Sequence, residues 1–585
     1  MFTFLCYNLL TSTTDGGVNM QLKINGRAVQ ANPGQSLREL IQALGMDCGN
    51  LKDRPLAAKI AGEVFTLNYI PVRASSEEQY STTMRRAMAA SNGEVHLLRY
   101  CDGPGKKVYT RTACFLVFLA IRALWPDAVS KISCTLGNSV FLSIENEGGV
   151  CVAALKQKMA EYIREDFPIL RKRISRQEAI AQFQRNNQQD KAELLQWYPA
   201  DSFDEYVYKD YSDYFFGEML PSSGYLTVWN LLPAEGGVIL LYPDDLNPDK
   251  TTRFEASPNF FSVFTEGKRW GTLMECETVS DLNQKTVSGS IRELIRVNEA
   301  LHEKRISQIA DMVCQRSAQV VMLAGPSSSG KTTTANRLAT QLRVHGKKPI
   351  LMSLDNYYID RDKLSPGPDG KVDLEHINTL DTELFRENIS CLLSGGETAL
   401  PTFNFVQGRR VWDGRQLRLG DNSVIIVEGI HGLNPQMVPD GVPENKIFKL
   451  YVSPLLPLNL DNHNRVPTSY LRLLRRIVRD FETRGSSVQR TISMWDSVQS
   501  GEKRWIFPYQ ENADVIFNGS TLYELAVLKK HIFPLLTQIM PEDSCYDQVC
   551  SIVKILNYIQ EADVDDEIPP TSIVREFIGG NTFYR

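Results

Sequence analysis

No two cysteines in this chain are spaced as CxxC, although eleven are scattered between Cys6 and Cys550. An odd, unclustered count argues for free thiols in a reducing compartment, and against a disulfide framework or a zinc ribbon. The seven histidines are equally dispersed, with neither HExxH nor His-x-His, so no local metal motif of that kind is present. Long hydrophobic runs are missing too. The most apolar stretch, Ala113–Leu124, is interrupted by Arg122 and reads as a buried helix rather than a span of the ~20 residues a bilayer needs. The opening MFTFLCYNLL is short and lacks a basic leader, so residues 1–19 read as a loosely ordered extension or an upstream start before Met20. Nor is there an excess of positive charge: 64 Lys and Arg face 69 Asp and Glu, a formal charge of -5. Bulk nucleic-acid binding by the whole surface is thereby excluded, while a local patch stays open. These absences lead to the expectation of a cytoplasmic protein without a membrane segment.

What is present is a chain of 585 residues with 43% hydrophobic and 23% charged residues, the balance of a large multidomain globular protein. The segment QLKINGRAV turns at Asn25-Gly26, a hairpin signal, and is followed by an amphipathic stretch with Leu37, Leu40, Ile41 and Leu44 on one face. With strands at Ala57–Ile60 and near Phe65–Tyr69, residues 20–98 read as a small ubiquitin-like α+β unit ending in a polar stretch, Ala74–Ser91. Residues 99–289 read as a second α+β unit. It holds helix Thr112–Leu124, strands near Ser133–Ile144, helix Cys151–Glu165, and a capping box in which Ser175 and Glu178 open helix 176–186. Residues 290–585 alternate strands and helices, with strands expected at Gln319–Ala324, Lys348–Leu354, Ser423–Val427 and Lys446–Val452. That alternation implies an α/β unit with a parallel sheet and helices on both faces. Two tail helices follow in Thr521–Ile559, punctuated by Pro534 and Pro541.

The chemistry concentrates in this third unit. Gly325-Pro-Ser-Ser-Ser-Gly330-Lys331-Thr332 fits GxxxxGK[ST] between a buried strand and a helix. Backbone N–H groups from Gly325, Ser327, Ser328, Ser329 and Gly330 through Thr333 can curl around phosphates at a helix N-terminus, whose positive potential favours anions. Lys331 would reach the β- and γ-phosphates, and the Thr332 hydroxyl would ligate Mg²⁺. The next strand ends at Asp355, 24 residues beyond Lys331, and SVIIVEG ends in Glu428. Carboxyl ends of neighbouring parallel strands share one crevice. Asp355 is therefore placed to take a proton from a substrate hydroxyl, and Glu428 to hold Mg²⁺ directly or through water. Six arginines (472, 475, 476, 479, 484, 490) face two acids in Leu471–Arg490, with Gly485 breaking a helix that carries Arg472, Arg475, Arg476 and Arg479 on one side. A mobile lid that covers phosphate charge is favoured over a solvated basic helix or an RNA-contacting one.

The elements GPSSSGKTT, LDNYY, VDLEHINTLD, LPTFNFVQGRR, VIIVEGI and LRRIVRDFETRG stand in one order over Val320–Ser520, and this region resembles the uridine/cytidine kinase and phosphoribulokinase family of P-loop kinases. The resemblance implies ATP and Mg²⁺ as cofactors, Asp355 as general base on a ribose 5′-hydroxyl, and Thr332, Glu428 and Asp355 around the metal. It implies Arg479 and Arg484 in the lid, and Tyr357, Asp373, Glu375, His376, Phe403 and Arg476 on the nucleoside. Two departures stand out. Phe403 and Gly408 occupy positions where the family has a pyrimidine-contacting Tyr and His, and Ser486 replaces a lid Arg, with Arg490 as the candidate to compensate. KINGRAV, the Cys151–Asp166 helix and SRQEAIAQF resemble the TGS domain and the second additional, editing-type domain of threonyl-tRNA synthetases. The segments YTRTACFLVF and DYFFGEMLPSSG lack the His and Cys residues of that editing site, which makes zinc-dependent or water-activating editing improbable. With SIVREFIGGN at the end, the combination resembles bacterial fused nucleoside kinases.

The expected activity is therefore transfer of the γ-phosphoryl of ATP to the 5′-hydroxyl of a nucleoside, uridine or cytidine first, as in pyrimidine salvage. Two alternatives remain at this point: a kinase of another small metabolite, and a nucleotide-regulated RNA-binding protein whose N-terminal domains touch tRNA. Nucleobase, donor (ATP or GTP) and a homo-oligomeric state are left open by the sequence.

Overall fold

The computed structural model describes residues 20–71, 93–146, 148–366, 372–439 and 441–583. The extension 1–19 and the polar stretch Ala74–Ser91 therefore lie outside the described residues. The chain forms two compact units. The first comprises Met1–Ala256 together with Asn459–Arg465, and the second Ser257–Leu458 with Val466–Arg585.

In the first unit, Met20–Ile24 and Arg27–Ala31 pair as a hairpin across Asn25 and Gly26, both at positive φ (44° and 80°). Two such residues suit a turn that matches the strand twist. Helix Leu37–Ala43 starts from a capping box between Ser36 and Glu39, and buries Leu37, Leu40 and Ile41. These elements belong to a five-stranded sheet in the order 27–31, 20–24, 94–98, 57–60, 63–66. Helix Gly103–Leu124 is longer than the apolar run suggested, because Pro104 is compatible with a first turn. It packs in one core with the four-stranded sheet built from 129–135, 139–145, 230–234 and 237–241. The Ser175–Glu178 capping box forms as expected, with reciprocal bonds of 2.9 and 3.2 Å.

A hairpin from the second half of the chain completes this unit. Asp461 accepts from the Tyr214 hydroxyl at 2.6 Å, and His463 pairs with Asp213 at 2.6 Å while stacking on Phe118 at 3.6 Å. Lys191, buried beside Asp213 at 3.3 Å, balances the charge.

The second unit is built on a five-stranded parallel sheet. Its strands are β1 (Val320–Ala324), β2 (Lys348–Ser353), β3 (Ser423–Glu428), β4 (Ile447–Ser453) and β5 (Val515–Asn518), in the order β2-β3-β1-β4-β5. Alternation along the strands separates two cores. Val321 and Leu323 of β1 face one way, with Ile426, Leu450 and Val452. Val320 and Met322 face the other, with Ile425, Val427 and Ile447. The first core is covered by helices α1 (Ile291–Gln315) and α2 (Lys331–Val344), the second by α3 (Thr382–Leu393). Sheets buried on both faces need continuous apolar strands, and VVMLA is one. After β5 come α6 (Glu524–Leu536) and a helix at Tyr546–Leu556, while α4 (Thr468–Arg484) and α5 (Val488–Trp505) precede it.

Two expectations are corrected and one strand is added. β2 ends at Ser353, and Asp355 lies in the 3₁₀ turn Leu354–Tyr357 rather than on the strand, because the Ser353 hydroxyl accepts from the Asp355 N–H and turns the chain. Pro534 sits inside the last turns of α6 instead of ending it. β5 was not expected: its apolar segment, VIFN, is only four residues long.

Candidate active site

The loop between β1 and α2 is shaped by close approaches. A Cβ on Gly325 would come 2.2 Å from the Val452 carbonyl oxygen, and Gly330 needs φ +90° to enter the helix. Ser328, a non-glycine residue, is held at φ +59°. Such strain persists where surroundings over-determine the backbone, typically at ligand clamps. The surroundings here are arginines of α4. Arg472 donates to the Ser327 carbonyl at 2.9 Å, Arg475 to the Ser328 carbonyl at 3.3 Å, and Arg476 to the Ser327 hydroxyl at 3.0 Å. Lys331 bends back to the Pro326 carbonyl at 3.2 Å. The Ser328 and Ser329 hydroxyls, 3% and 0% exposed, have no hydrogen-bond partner.

The arginine segment therefore divides into two kinds of residue. Arg472 and Arg475 are 2% and 0% exposed, paired with the buried carboxylates of Glu502 and Glu524. They brace the phosphate loop, which corrects the view of the whole segment as a mobile cationic lid. Both partners are distant in sequence, on α5 and α6. Arg476, Arg479 and Arg484 gather around Asp480 at 3.3, 2.8 and 3.7 Å. Arg479 and Arg484 are also near enough to Asp355 for their charges to act on it, and Arg490 is exposed on α5.

Lys331, Asp355 and Glu428 converge in front of the loop. Burial pushes the Lys331 pKa down, opposed by the charges of Glu428 and Asp355. Burial raises Asp355 above the usual carboxylate range, against Lys331, Arg484 and Arg479. Glu428, half-buried at the end of β3, is pushed up to about 7 by desolvation and then by the Asp355 charge, and accepts from the Ser353 hydroxyl at 3.1 Å. Two carboxylates this close cannot both ionise without cost, and a cation beside them removes that cost. Oxygen donors of this kind, Thr332 included, suit Mg²⁺, which is usually held by one or two carboxylates plus substrate phosphates. Among the described residues no group of three or more His, Cys, Asp and Glu side chains is arranged to hold a metal ion.

Glu375 lies near enough to Asp355 for their charges to interact, and Asp373 and His376 flank it in sequence. Burial, then the nearby Glu502 carboxylate, raises Glu375 to about 7, while Arg476 opposes the shift. Trp505 of α5 donates to Asp373 at 3.4 Å and its ring lies 4.1 Å from His376. The Asn378 N–H donates to His376 Nδ1 at 3.0 Å, which leaves the His376 proton on Nε2. Phe403 joins Tyr358 and Phe405 in an aromatic cluster, with centroids 5.6 and 5.1 Å away. Tyr357 is not in this group. Its ring packs against Phe385 in the core and its hydroxyl accepts from Asn388 at 3.1 Å, so the expected substrate contact is corrected to a core role. Its neighbour Tyr358 faces the charges of Asp355, Glu375 and Glu428 instead. Gly408, at φ +67°, lies against the stem of Arg361, whose Cδ would be 2.7 Å from an added Cβ. Glu502 and Trp505 went unnoticed in the sequence because no local pattern connects them to the loop, while Tyr358 in LDNYY and Glu576 in SIVREFIGGN lay inside quoted segments without being singled out.

In the first unit, the segments YTRTACFLVF and DYFFGEMLPSSG pack on one another. The Leu220 N–H donates to the Thr112 hydroxyl at 2.9 Å, and the Phe115 and Phe215 rings meet edge to face at 6.4 Å. Arg111 donates to the Glu218 carbonyl, and the Glu218 side chain pairs with Arg171.

A phosphate loop opening a helix from the central strand of a parallel sheet, with carboxylates beyond two neighbouring strands, defines the second unit as a P-loop kinase domain. Residues 320–524 match the phosphoribulokinase/uridine kinase family, and this region is a domain of that family. A uridine kinase of Staphylococcus haemolyticus is 28% identical over 222 residues, spanning 37% of this chain and 97% of the relative. One of Vibrio atlanticus is 29% identical over 223 residues, spanning 37% and 95%. Among solved structures, a possible uridine kinase from Bacillus stearothermophilus aligns at 19% identity over 36% of this chain and 96% of its own, with a TM-score of 0.24.

Proposed function

We propose that the second unit transfers the γ-phosphoryl group of ATP to the 5′-hydroxyl of a nucleoside, uridine or cytidine being the leading acceptors. The observation that carries this reading is the convergence of Lys331, Asp355, Glu428, Arg479 and Arg484 in front of the phosphate loop, next to a second group of acids at Asp373 and Glu375. The uridine kinases similar to residues of this domain support the same chemistry.

Asp355 accepts the hydroxyl proton as the nucleophile attacks. A carboxylate raised toward neutrality holds that proton better than an ordinary one, which is what a general base near pH 7 requires. Lys331 and the loop N–H groups of Gly325, Ser328, Ser329, Gly330 and Thr333 orient the phosphates, whereas the Ser327 N–H donates to Glu502 at 3.0 Å, and Arg479 and Arg484 meet the charge that spreads over the transferring group. Mg²⁺, held by Thr332 and Glu428 beside Asp355, supplies neutralisation of β- and γ-phosphate charge when bound. Asp373, Glu375, His376 and Arg476 hold the ribose hydroxyls, and Phe403 with Tyr358 stacks on the base. An acceptor site with Phe403 and Gly408 offers fewer polar contacts to the base edge, so discrimination among nucleobases is weaker than a fully hydrogen-bonded site would give.

Along the chain we read a TGS-like module at 20–98, an editing-like module at 99–289 and a kinase module at 290–585. The space between the two marked segments of the editing-like module is filled by Phe115, Phe215 and the Arg111–Glu218 contact, which supports a scaffold without editing chemistry. The test of the kinase reading is a panel of nucleosides and sugar alcohols with ATP or GTP and Mg²⁺, scored for ADP or GDP and for the 5′-monophosphate. Nucleoside-dependent turnover supports it. Turnover only with a non-nucleoside acceptor replaces the nucleoside by another metabolite.

A further inference from the structure

The last segment of the chain, beyond the matched family region, is built into the phosphate loop. Ile573 and Phe577 are fully buried in the core shared by β1 and α2. The Ser572 hydroxyl donates to Glu299 of α1 at 2.7 Å, and Arg575 ties the segment to the Ile568 carbonyl at 3.1 Å. Ile573 lies so close to the loop that a Cβ on Gly330 would come 2.5 Å from its Cγ2. Arg475, which braces the Ser328 carbonyl, also lies 4.7 Å over the Phe577 ring.

This anchoring delivers one charge to one place. The Glu576 carboxylate accepts from the Thr333 N–H at 3.3 Å and from the Thr333 hydroxyl at 2.6 Å, and Asn581 donates to the same hydroxyl at 3.4 Å. Thr333 lies in the first turn of α2, where N–H groups lack intrahelical partners and the helix potential favours an anion. In a loop of this type those N–H groups are the ones that cradle phosphates. The unpartnered, buried hydroxyls of Ser328 and Ser329 beside it point independently to an oxyanion ligand at this loop.

We propose that Glu576 is an internal competitor for a phosphate of the nucleotide donor, so that the C-terminal segment sets donor affinity. The proposal rests on the reading of the loop as the donor site. A donor phosphate and the Glu576 carboxylate require the same Thr333 donors and repel one another. Binding therefore needs the side chain to swing away, while Ser572, Ile573 and Phe577 keep the backbone docked. A site that is competent in a tenth of the molecules binds about tenfold more weakly than the uncovered site.

The experiment is calorimetric titration of the full chain with MgATP, comparing wild type, Glu576→Gln, Glu576→Ala, Glu576→Asp and Lys331→Ala. The exposed acid Glu542→Gln serves as a charge control, and thermal melts establish that each variant is folded. Expected is a three- to tenfold lower Kd in Glu576→Gln and Glu576→Ala, and a smaller decrease in Glu576→Asp, whose shorter side chain cannot span both Thr333 contacts. Glu542→Gln should match wild type. An unchanged or higher Kd in folded Glu576→Gln and Glu576→Asp overturns the proposal and leaves Glu576 as a helix cap or a direct donor contact. The donor-site reading fails separately, if Lys331→Ala binds MgATP as well as wild type does.

Discussion

Replacing Arg475 by Ala distinguishes a strut from a lid cation. Arg475 is 0% exposed, forms a bidentate pair with the equally buried Glu524, donates to the Ser328 and Gly519 carbonyls, and covers the Phe577 ring. Removing one partner of such a pair leaves an uncompensated buried charge, which costs about 3–5 kcal/mol. At an unfolding entropy of about 2.1 cal/mol/K per residue, a unit of roughly 300 residues loses on the order of 5–8 °C in Tm. Scanning calorimetry of the full chain reads this directly, as a fall of the second unit's transition with the first unit's unmoved. Arg475→Met combined with Glu524→Leu removes both charges. It should cost at least ~2 kcal/mol less than Arg475→Ala, because an apolar pair of similar volume replaces a buried ion pair with little penalty. The reasoning is refuted if Arg475→Ala melts within ~1 kcal/mol of wild type and loses only turnover, since that is how a solvated lid cation would behave.

His302 donates from Nε2 to the Ser520 carbonyl at 3.1 Å, and burial, reinforced by Arg337 and Arg475, pushes its pKa down to about 3. The unfolded chain takes up this proton near pH 6.5. Stability from the neutral ring is thus full above 6.5 and is lost toward pH 3 at about 1.4 kcal/mol per unit; urea midpoints of His302→Gln between pH 7 and 5 should show a shallower slope than wild type. At Gly501 of α5 a Cβ would come 2.3 Å from Glu375 Cβ. Gly501→Ala should therefore displace Glu375 and raise the acceptor KM roughly tenfold with the donor KM little changed, as small misplacements at a site do, measured by varying each substrate in turn.

Much of the second unit can be read from local pattern. Four strands, the phosphate loop and the carboxylates Asp355 and Glu428 all leave short, contiguous marks: an apolar run, glycines at fixed spacing, an acid after a strand. The long helix α4 was equally legible, since Gly485 at φ +59° ends it where the sequence broke. The fate of its charges was not. Whether an arginine is a solvated cation or a buried strut depends on Glu502 and Glu524, which lie 30 and 49 residues from their partners Arg472 and Arg475. Tyr357 and Tyr358 illustrate the same limit at shorter range. Of these adjacent tyrosines in one motif, Tyr357 ends the 3₁₀ turn and is fully buried against Phe385, while Tyr358 packs at the edge of the same core and faces the charges of the site, a division the motif alone does not mark. Likewise, no pattern in Asn459–Arg465 announces that this hairpin completes the first unit, because its buried partners Asp213, Tyr214 and Lys191 lie about 250 residues away or more.

The central claim is that Asp355 takes the acceptor's proton in phosphoryl transfer at this loop. Its most direct test is single-turnover conversion of uridine and MgATP to the 5′-monophosphate and ADP by the full chain, followed by mass spectrometry, with MgATP binding measured on the same samples. The account predicts stoichiometric product from wild type. For Asp355→Asn it predicts a loss of about 10²–10⁴ in rate, the range of general acid–base catalysis, with MgATP still bound. Product formed by Asp355→Asn at the wild-type rate would contradict it.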